Sequence, residues 1–220
     1  MAILRAVADE PASLAELVTR TGLPRATAHR LAVALEGHRL VQRSPDGAWV
    51  PGPALAELGR SGAGLAEIAS RHLVTLRDSS GESSQFYVRE GGARVCVAAA
   101  ERTSGLRDTV PVGARLPMTA GSAAHALLAF APSDEVTRLL PSASFTARTL
   151  LDVRRRGWAH SIAEREPGVA SLSAPVRHPS GTVLGAVSIS GPVERLGRRP
   201  SPEIVGAVLD AAAAIGRAAG

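Results

Sequence analysis

Five punctuation marks in the first 52 residues constrain this chain more than its composition does. Ser13 stands three positions before Glu16, the spacing of a capping box, in which each side chain bonds the other residue's backbone N–H at a helix start. The helix so opened, LAELVTRT, is closed by Gly22, which adopts a left-handed cap without steric cost. Pro24 takes a first-turn position, where its missing N–H costs nothing, and a third helix runs to about Glu36 before Gly37 ends it. VQRS and AWVPG follow around the turn PDG, with Asp46 and Gly47 as turn formers, and read as a β-hairpin. With ILRAVA as a short first helix, three helices and a hairpin fit the winged helix-turn-helix plan.

Beyond this unit, PALAELGRSGAG reads as a short helix broken by glycines, and LAEIASRHLVTLRDS as a longer amphipathic helix opening a second domain. SSQFYVRE and ARVCVAAAER are extended segments joined by a hairpin turn at Gly91 and Gly92. PVGARLPM, helices in SAAHALLAF and DEVTRLL, and the basic helix end DVRRRG come next. WAHSIAE, VASLSAPVR and TVLGAVSIS precede a closing helix from about Pro202 to Arg217. Strands separated by both hairpins and helices indicate an α+β fold with an antiparallel sheet. The expected organisation is a winged helix-turn-helix over 1–52, a linker helix over 53–64 and a second domain over 65–220.

Composition narrows the setting. Apolar residues make up 45% and aromatic ones 3%, so Ala, Val, Leu and Ile must fill the core. No apolar run approaches the roughly 20 residues that cross a bilayer, and MAILRAVADEP lacks the pattern of an export signal. Cys96 is the only cysteine, which excludes an internal disulfide and a cysteine-based metal cage. The six His form no metal-ligand spacing, so neither metal nor cofactor is expected. These features describe a cytoplasmic protein with no membrane partner. The net charge is +5, but all 25 basic residues are Arg, a usage that fits GC-rich coding. Residues 1–60 hold seven Arg against six acids, and residues 61–220 hold 18 against 14. Bulk charge therefore decides nothing, and arrangement must carry any case for DNA.

On the third helix, Ala28, Leu31, Ala32 and Leu35 fall at i, i+3, i+4 and i+7, an apolar stripe for the core. Ala26 and Arg30 then project the opposite way, flanked by Thr27 and His29, with Arg25 in the first turn. A short side chain beside an Arg suits entry into a major groove. Arg can bond both acceptors of a guanine edge, and Thr can touch a thymine methyl or a phosphate. Arg43 either meets a phosphate beside the wing or sits in water.

In the second domain, TAGSAAHALLAF puts Ser122 and Ala123 at a helix start, where backbone N–H groups and the dipole can hold a carboxylate. The period of two in a strand places Ser188 with Ser190, and Ser171 with Ser173, on single faces of neighbouring strands. Such a neutral serine lining favours a small, singly charged acid held by dipoles. RRRG at 154–157 reads as a helix C-terminus capped by Gly157, with phosphate binding as the alternative. His125 reads as a buried, hydrogen-bonded imidazole and Cys96 as small core filler.

The stretch LAELVTRTGLPRATAHRLAVALEGHRLVQRSPDGAW resembles the DNA-binding domain of the IclR family of bacterial regulators. VGARLPMTAGSAAHALLA and RRRGWAHSIAEREPGVASLSAPVRHPSGTVLGAVSISGP extend the resemblance over nearly the whole chain. DTVPVG and AEREPGVAS look most like an actinobacterial subgroup that controls amino-acid biosynthesis, leucine included. The resemblance implies a GAF/PAS-like antiparallel-sheet domain binding an effector, double-stranded operator DNA as partner, and a homodimer or dimer of dimers. It implies reading of DNA by Arg25, Ala26, Thr27, His29, Arg30 and Arg43. It also implies that the helix start and side chains at Ser161, Ser171, Ser188 and Ser190 hold the effector's carboxylate, with Leu106 and Val110 as an apolar wall. Some relatives carry Asp at the position of Ser161 and Cys at that of Ser171. Two departures stand out: the segment from Arg148 to Val153 is short for the family, and the chain starts nearly inside its first helix.

An enzyme or metabolite-binding protein built on the second domain is the alternative. Hydrolysis needs an activated nucleophile with its base, and the sequence has no GxSxG, HExxH or Gly-rich phosphate loop. An RNA-binding or architectural protein would show stacking aromatics and a stronger basic bias. A ligand-responsive, non-enzymatic transcriptional regulator, repressor or activator, is the expected function.

Overall fold

The computed structural model describes residues 2–8 and 10–220, and the side chains of these except 56–63. Its first unit is Met1–Ala63. Three helices build it: α1 (Ala2–Ala8), α2 (Leu14–Thr21) and α3 (Arg25–Gly37). The capping box forms as the sequence requires: Glu16 N–H donates to Ser13 Oγ at 3.3 Å and Ser13 N–H to Glu16 Oε2 at 2.7 Å. Gly22 closes α2 in the left-handed conformation, φ 67°. Pro24 sits just before the first turn of α3, at ψ 142°, rather than inside it. Gly37 remains helical, and the chain turns instead at Arg39, whose φ of 58° is left-handed. Gly52 packs on that turn so closely that a Cβ would lie 2.2 Å from the Arg39 carbonyl oxygen. Strands β1 (Val41–Arg43) and β2 (Trp49–Pro51) pair antiparallel around Gly47 (φ 81°), forming the wing. Ile3, Val7, Leu17, Ala28, Ala32, Val41 and Trp49 fill the core of this unit.

Helix α4 (Pro53–Ser80) carries the chain into the second unit, Gly64–Gly220. It is one uninterrupted helix, although Gly59, Gly62 and Gly64 read as breaks in the sequence. A glycine costs only about 1 kcal/mol in a helix interior, and the Ala69, Leu73 and Leu76 face of α4 packs firmly into the second core.

That second unit is a six-stranded antiparallel sheet with helices on both faces. Its strands are β3 (Ser83–Glu90), β4 (Ala93–Ala100), β5 (Arg115–Pro117), β6 (Ala159–Ile162), β7 (Val169–Arg177) and β8 (Val183–Pro192). They lie in the order β5-β4-β3-β8-β7-β6. The remaining helices are α5 (Ser122–Leu128), α6 (Ser133–Leu139), α7 (Ala147–Arg156), α8 (Val193–Leu196) and α9 (Pro202–Ala218), with one 3-10 turn at Leu140–Ser142. Alternation along the strands assigns the two faces. Ala170, Leu172, Ala174, Val176, Val187 and Ile189 pack with α4 and α9. The opposite face meets α5 and α7 through Tyr87, Cys96, Ala159 and Ala186. RRRG forms the last turn of α7, and Gly157 caps it at φ 83°. Cys96 is buried core, and burial pushes its thiol up to about 11.

Candidate functional site

In the first unit the turn between α2 and α3 is fixed from two sides. Arg20 donates to the carbonyls of Ala6 (2.8 Å) and Glu10 (3.1 Å), tying α2 to the end of α1. Ala28 and Ala32 seat α3 in the core, and Leu35 is half-buried. Leu31, expected in the apolar stripe, is 42% exposed and lies at its rim. The core therefore meets α3 through two alanines, which bring its backbone close to the other helices. Arg25, Ala26, His29 and Arg30 are exposed and Thr27 is half-buried. Among the described residues neither Arg25 nor Arg30 is ion-paired, so both guanidiniums remain available to a phosphate or base edge. Arg43 is engaged internally. Its guanidinium lies 4.0 Å over the Trp49 ring, donates to the Gly47 carbonyl at 3.1 Å and approaches Glu36 to 3.9 Å.

In the second unit the sheet register does what period-two alternation suggests. Ser161, Ser171 and Ser190 lie side by side on β6, β7 and β8, and Ser173 is opposite Ser188 in the next row. Helix α5 covers them. Ser122 Oγ bonds Ser171 Oγ (2.7 Å) and Ser173 Oγ (2.6 Å), Ser173 bonds Ser188 (2.8 Å), and Ser161 bonds Ser171 (2.8 Å). Ser190 is paired with the amide of Gln85 on β3. These hydroxyls border a cavity of about 20 Å3, large enough for a water molecule.

In three respects the arrangement differs from the expected one. Two amides at the start of α5 are already taken: Ser122 N–H donates to Ser161 Oγ at 3.0 Å, and Gly121 N–H to Glu164 Oε2 at 2.8 Å. With only seven residues, α5 also offers little dipole. The lining is not neutral, because Arg94, Asp108, Glu164, Arg165 and Glu166 share the cavity with the serines. Nor do Leu106 and Val110 wall it: Leu106 is 74% exposed, and Val110 is buried in the core beside Cys96.

The charged groups are mostly matched. Arg165 pairs with Asp108 from the 101–114 loop and lies 3.2 Å from Glu166. Burial works against the Arg165 cation, but the carboxylate of Asp108 outweighs it and leaves the pKa raised. Glu164 also receives His125 Nε2 at 2.9 Å, and the imidazole meets Phe145 edge-on. The Tyr87 hydroxyl is driven up by burial. Sequence reasoning missed Arg94, although β4 carried a signal. Arg94 is in phase with Cys96, Ala98 and Ala100, the buried set of that strand.

A helix-turn-helix with a hairpin wing, followed by an α+β unit enclosing a polar cavity, is the plan of a DNA-binding regulator with an effector domain. Residues 1–45 match the IclR helix-turn-helix domain, and residues 60–217 match the bacterial transcriptional regulator IclR C-terminal family. The chain belongs to the IclR family of transcriptional regulators. It is 33% identical to the glycerol operon regulatory protein of Streptomyces griseus, over 98% of this chain and 92% of that one. The crystal structure of a Rhodococcus sp. protein assigned to the IclR family is similar at TM-score 0.64 and 27% identity, covering 97% of this chain and 90% of that one. An IclR homologue from Microbacterium hydrocarbonoxydans, solved with 4-hydroxybenzoate, shares the fold at TM-score 0.64 and 22% identity, over 98% and 95% of the two chains. Among the described residues no helix is long and apolar enough to cross a membrane.

Proposed function

We propose that α3 reads an operator through Arg25, Ala26, Thr27, His29 and Arg30, and that a small carboxylate in the serine cavity changes the affinity for that DNA. The observation that carries the second half is the serine array from Ser122 through Ser171, Ser173 and Ser188, hydroxyls that can exchange their mutual bonds for bonds to a ligand. Ser161 and Ser190 complete the array, and Ala123 leaves room beside it. Arg43 contributes by holding the wing on Trp49, with its remaining donors turned to a phosphate. In this reading residues 1–52 bind DNA, 53–64 link and 65–220 bind the effector, in a homodimer or dimer of dimers.

The activity is regulatory rather than enzymatic; the curated relatives it matches bear the names of regulators. DTVPVG and AEREPGVAS favour a regulator of amino-acid biosynthesis, whereas the similarity to the Streptomyces protein favours control of a glycerol operon. A gel shift on the gene's own upstream DNA, repeated with amino acids, hydroxy acids and aromatic acids, tests the reading. A shift that no acid alters would remove the effector half of the proposal.

A further inference from the structure

Arg94 stands apart from the other charges of the second unit. It is 3% exposed, lines the serine cavity, and has no carboxylate within 4.0 Å among the described residues. Its Nη1 donates to the Pro117 carbonyl, its Nε has no partner, and its Nη2 lies 3.0 Å from where a Cβ on Gly121 would be. The Tyr87 ring, 5.6 Å away, offers a π face but no counter-charge. The nearby acids make no ion pair with it: Asp108 is held by Arg165, and Glu164, whose charge favours the guanidinium from a distance, bonds the Gly121 amide and His125. Burial pulls the Arg94 pKa down to about 10, which leaves it charged at neutral pH. A buried guanidinium with unused donors is costly for a fold unless an anion completes it.

Resting on the effector reading above, we infer that Arg94 is the specificity-determining residue of this cavity, and that the effector is a small, strongly polar mono-acid whose carboxylate pairs with it. The single charge follows from the neighbours. The lining sets Asp108, Glu164 and Glu166 against Arg94 and Arg165, and Arg165 is already paired, so beyond Arg94 a second negative charge on the ligand meets no free cation in the lining. The polarity follows from the wall. Ala123 and Val169 are the aliphatic residues of the lining, and five serines face inward. A benzoate ring offers nothing to those hydroxyls, which keep their bonds to one another and to Gln85, whereas a ligand bearing hydroxyl, amino or keto groups can join the network. The size follows from the narrowness of the cavity, about 20 Å3, which small side-chain shifts enlarge for a short acid more readily than for a ring.

The test uses the full chain and the probes glycolate, lactate, glycerate and serine, each beside its amide, with 4-hydroxybenzoate and 3-phosphoglycerate as contrasts. Calorimetry and thermal shift should show at least one small acid binding, with its amide and both contrasts much weaker. Arg94→Gln should weaken the acid by at least roughly thirtyfold and leave the amide unchanged, while Arg94→Lys restores part of the preference. Wild-type protein that binds acid and amide equally overturns the inference, even if the Arg94 variants fail to fold. So does 4-hydroxybenzoate as the tightest ligand, or no binding by any small acid at about 10 mM. Ser188→Leu, which fills the cavity, separates the two levels. Acid binding that survives Ser188→Leu places the site elsewhere and removes the effector reading. Acid binding lost in Ser188→Leu but intact in Arg94→Gln removes only the role of Arg94.

Discussion

At the scale of single residues, the side chains that matter most are those whose charge is settled by one neighbour or by none. Arg30 is exposed on α3 and unpaired among the described residues, so its donors are open to DNA at little cost to the fold. Arg30→Ala should weaken cognate DNA binding by about 1–3 kcal/mol and narrow the preference over random DNA. Competition gel shifts read both effects, and an undiminished preference would take the reading role away from Arg30. Glu82 presents the opposite case. It is 3% exposed and gripped by both Nε and Nη2 of Arg195, the latter at 2.8 Å. Arg195→Ala leaves that carboxylate without its partner and, with Arg195 one third exposed to solvent, should cost about 1–3 kcal/mol in urea unfolding. Glu82→Gln, which removes the charge as well, should cost less. A single sequence shows neither arrangement in full. Arg30 was legible because helical periodicity assigns its face, whereas Glu82 and Arg195 are 113 residues apart and meet only through the sheet.

At the scale of elements, local chemistry was readable and lateral neighbours were not. The capped α2, the Gly22 turn, the wing around Gly47 and the Gly157 cap of α7 each follow from residues within one turn of themselves. The serine faces of β7 and β8 follow from alternation, and their adjacency from the short HPSG turn. That β3 lies between β4 and β8 was hidden, and with it the Gln85–Ser190 pair and the entry of Arg94 into the cavity. Those contacts depend on strand order, which periodicity does not encode. The surroundings of the α5 start were hidden for a related reason: free amides are a property of isolated helices, and here Glu164 from the β6–β7 loop takes that of Gly121. The β3–β8 pairing has its own sharp test at Gly185. A Cβ there would lie 2.4 Å from Phe86 Cζ and 2.5 Å from the Tyr87 carbonyl oxygen, a ring and a backbone atom that cannot both give way. Gly185→Ala should therefore destabilise the chain by about 1–3 kcal/mol. Gly206→Ala on α9, where the added methyl meets nothing within 4 Å, should be neutral or slightly stabilising by the same denaturation measurement.

At the scale of the whole molecule, the question is how a unit with so little excess charge holds DNA. Residues 1–60 carry seven Arg against six acids, a net of +1. Arg20 is already spent on internal carbonyls and a carboxylate, and Arg43 keeps only part of its guanidinium for a phosphate. A single copy therefore neutralises few phosphates, and affinity gained by counterion release scales with that number. Two copies joined as a dimer double the contacts and present two reading helices to half-sites about one DNA turn apart, on a pseudo-palindromic operator. The salt dependence of binding counts the phosphates directly, since log K falls with log salt at a slope of about −0.9 per neutralised phosphate. If each copy contributes roughly three to four contacts, the dimer should show a slope near −6, and a monomer near −3. Arg25→Ala, present in both copies, should reduce the dimer's slope by about two. Sedimentation should show at least a dimer at micromolar concentration, and operator affinity should fall when dilution drives dissociation. A monomer at that concentration, with tight operator binding and a slope near −3, would refute the dimer.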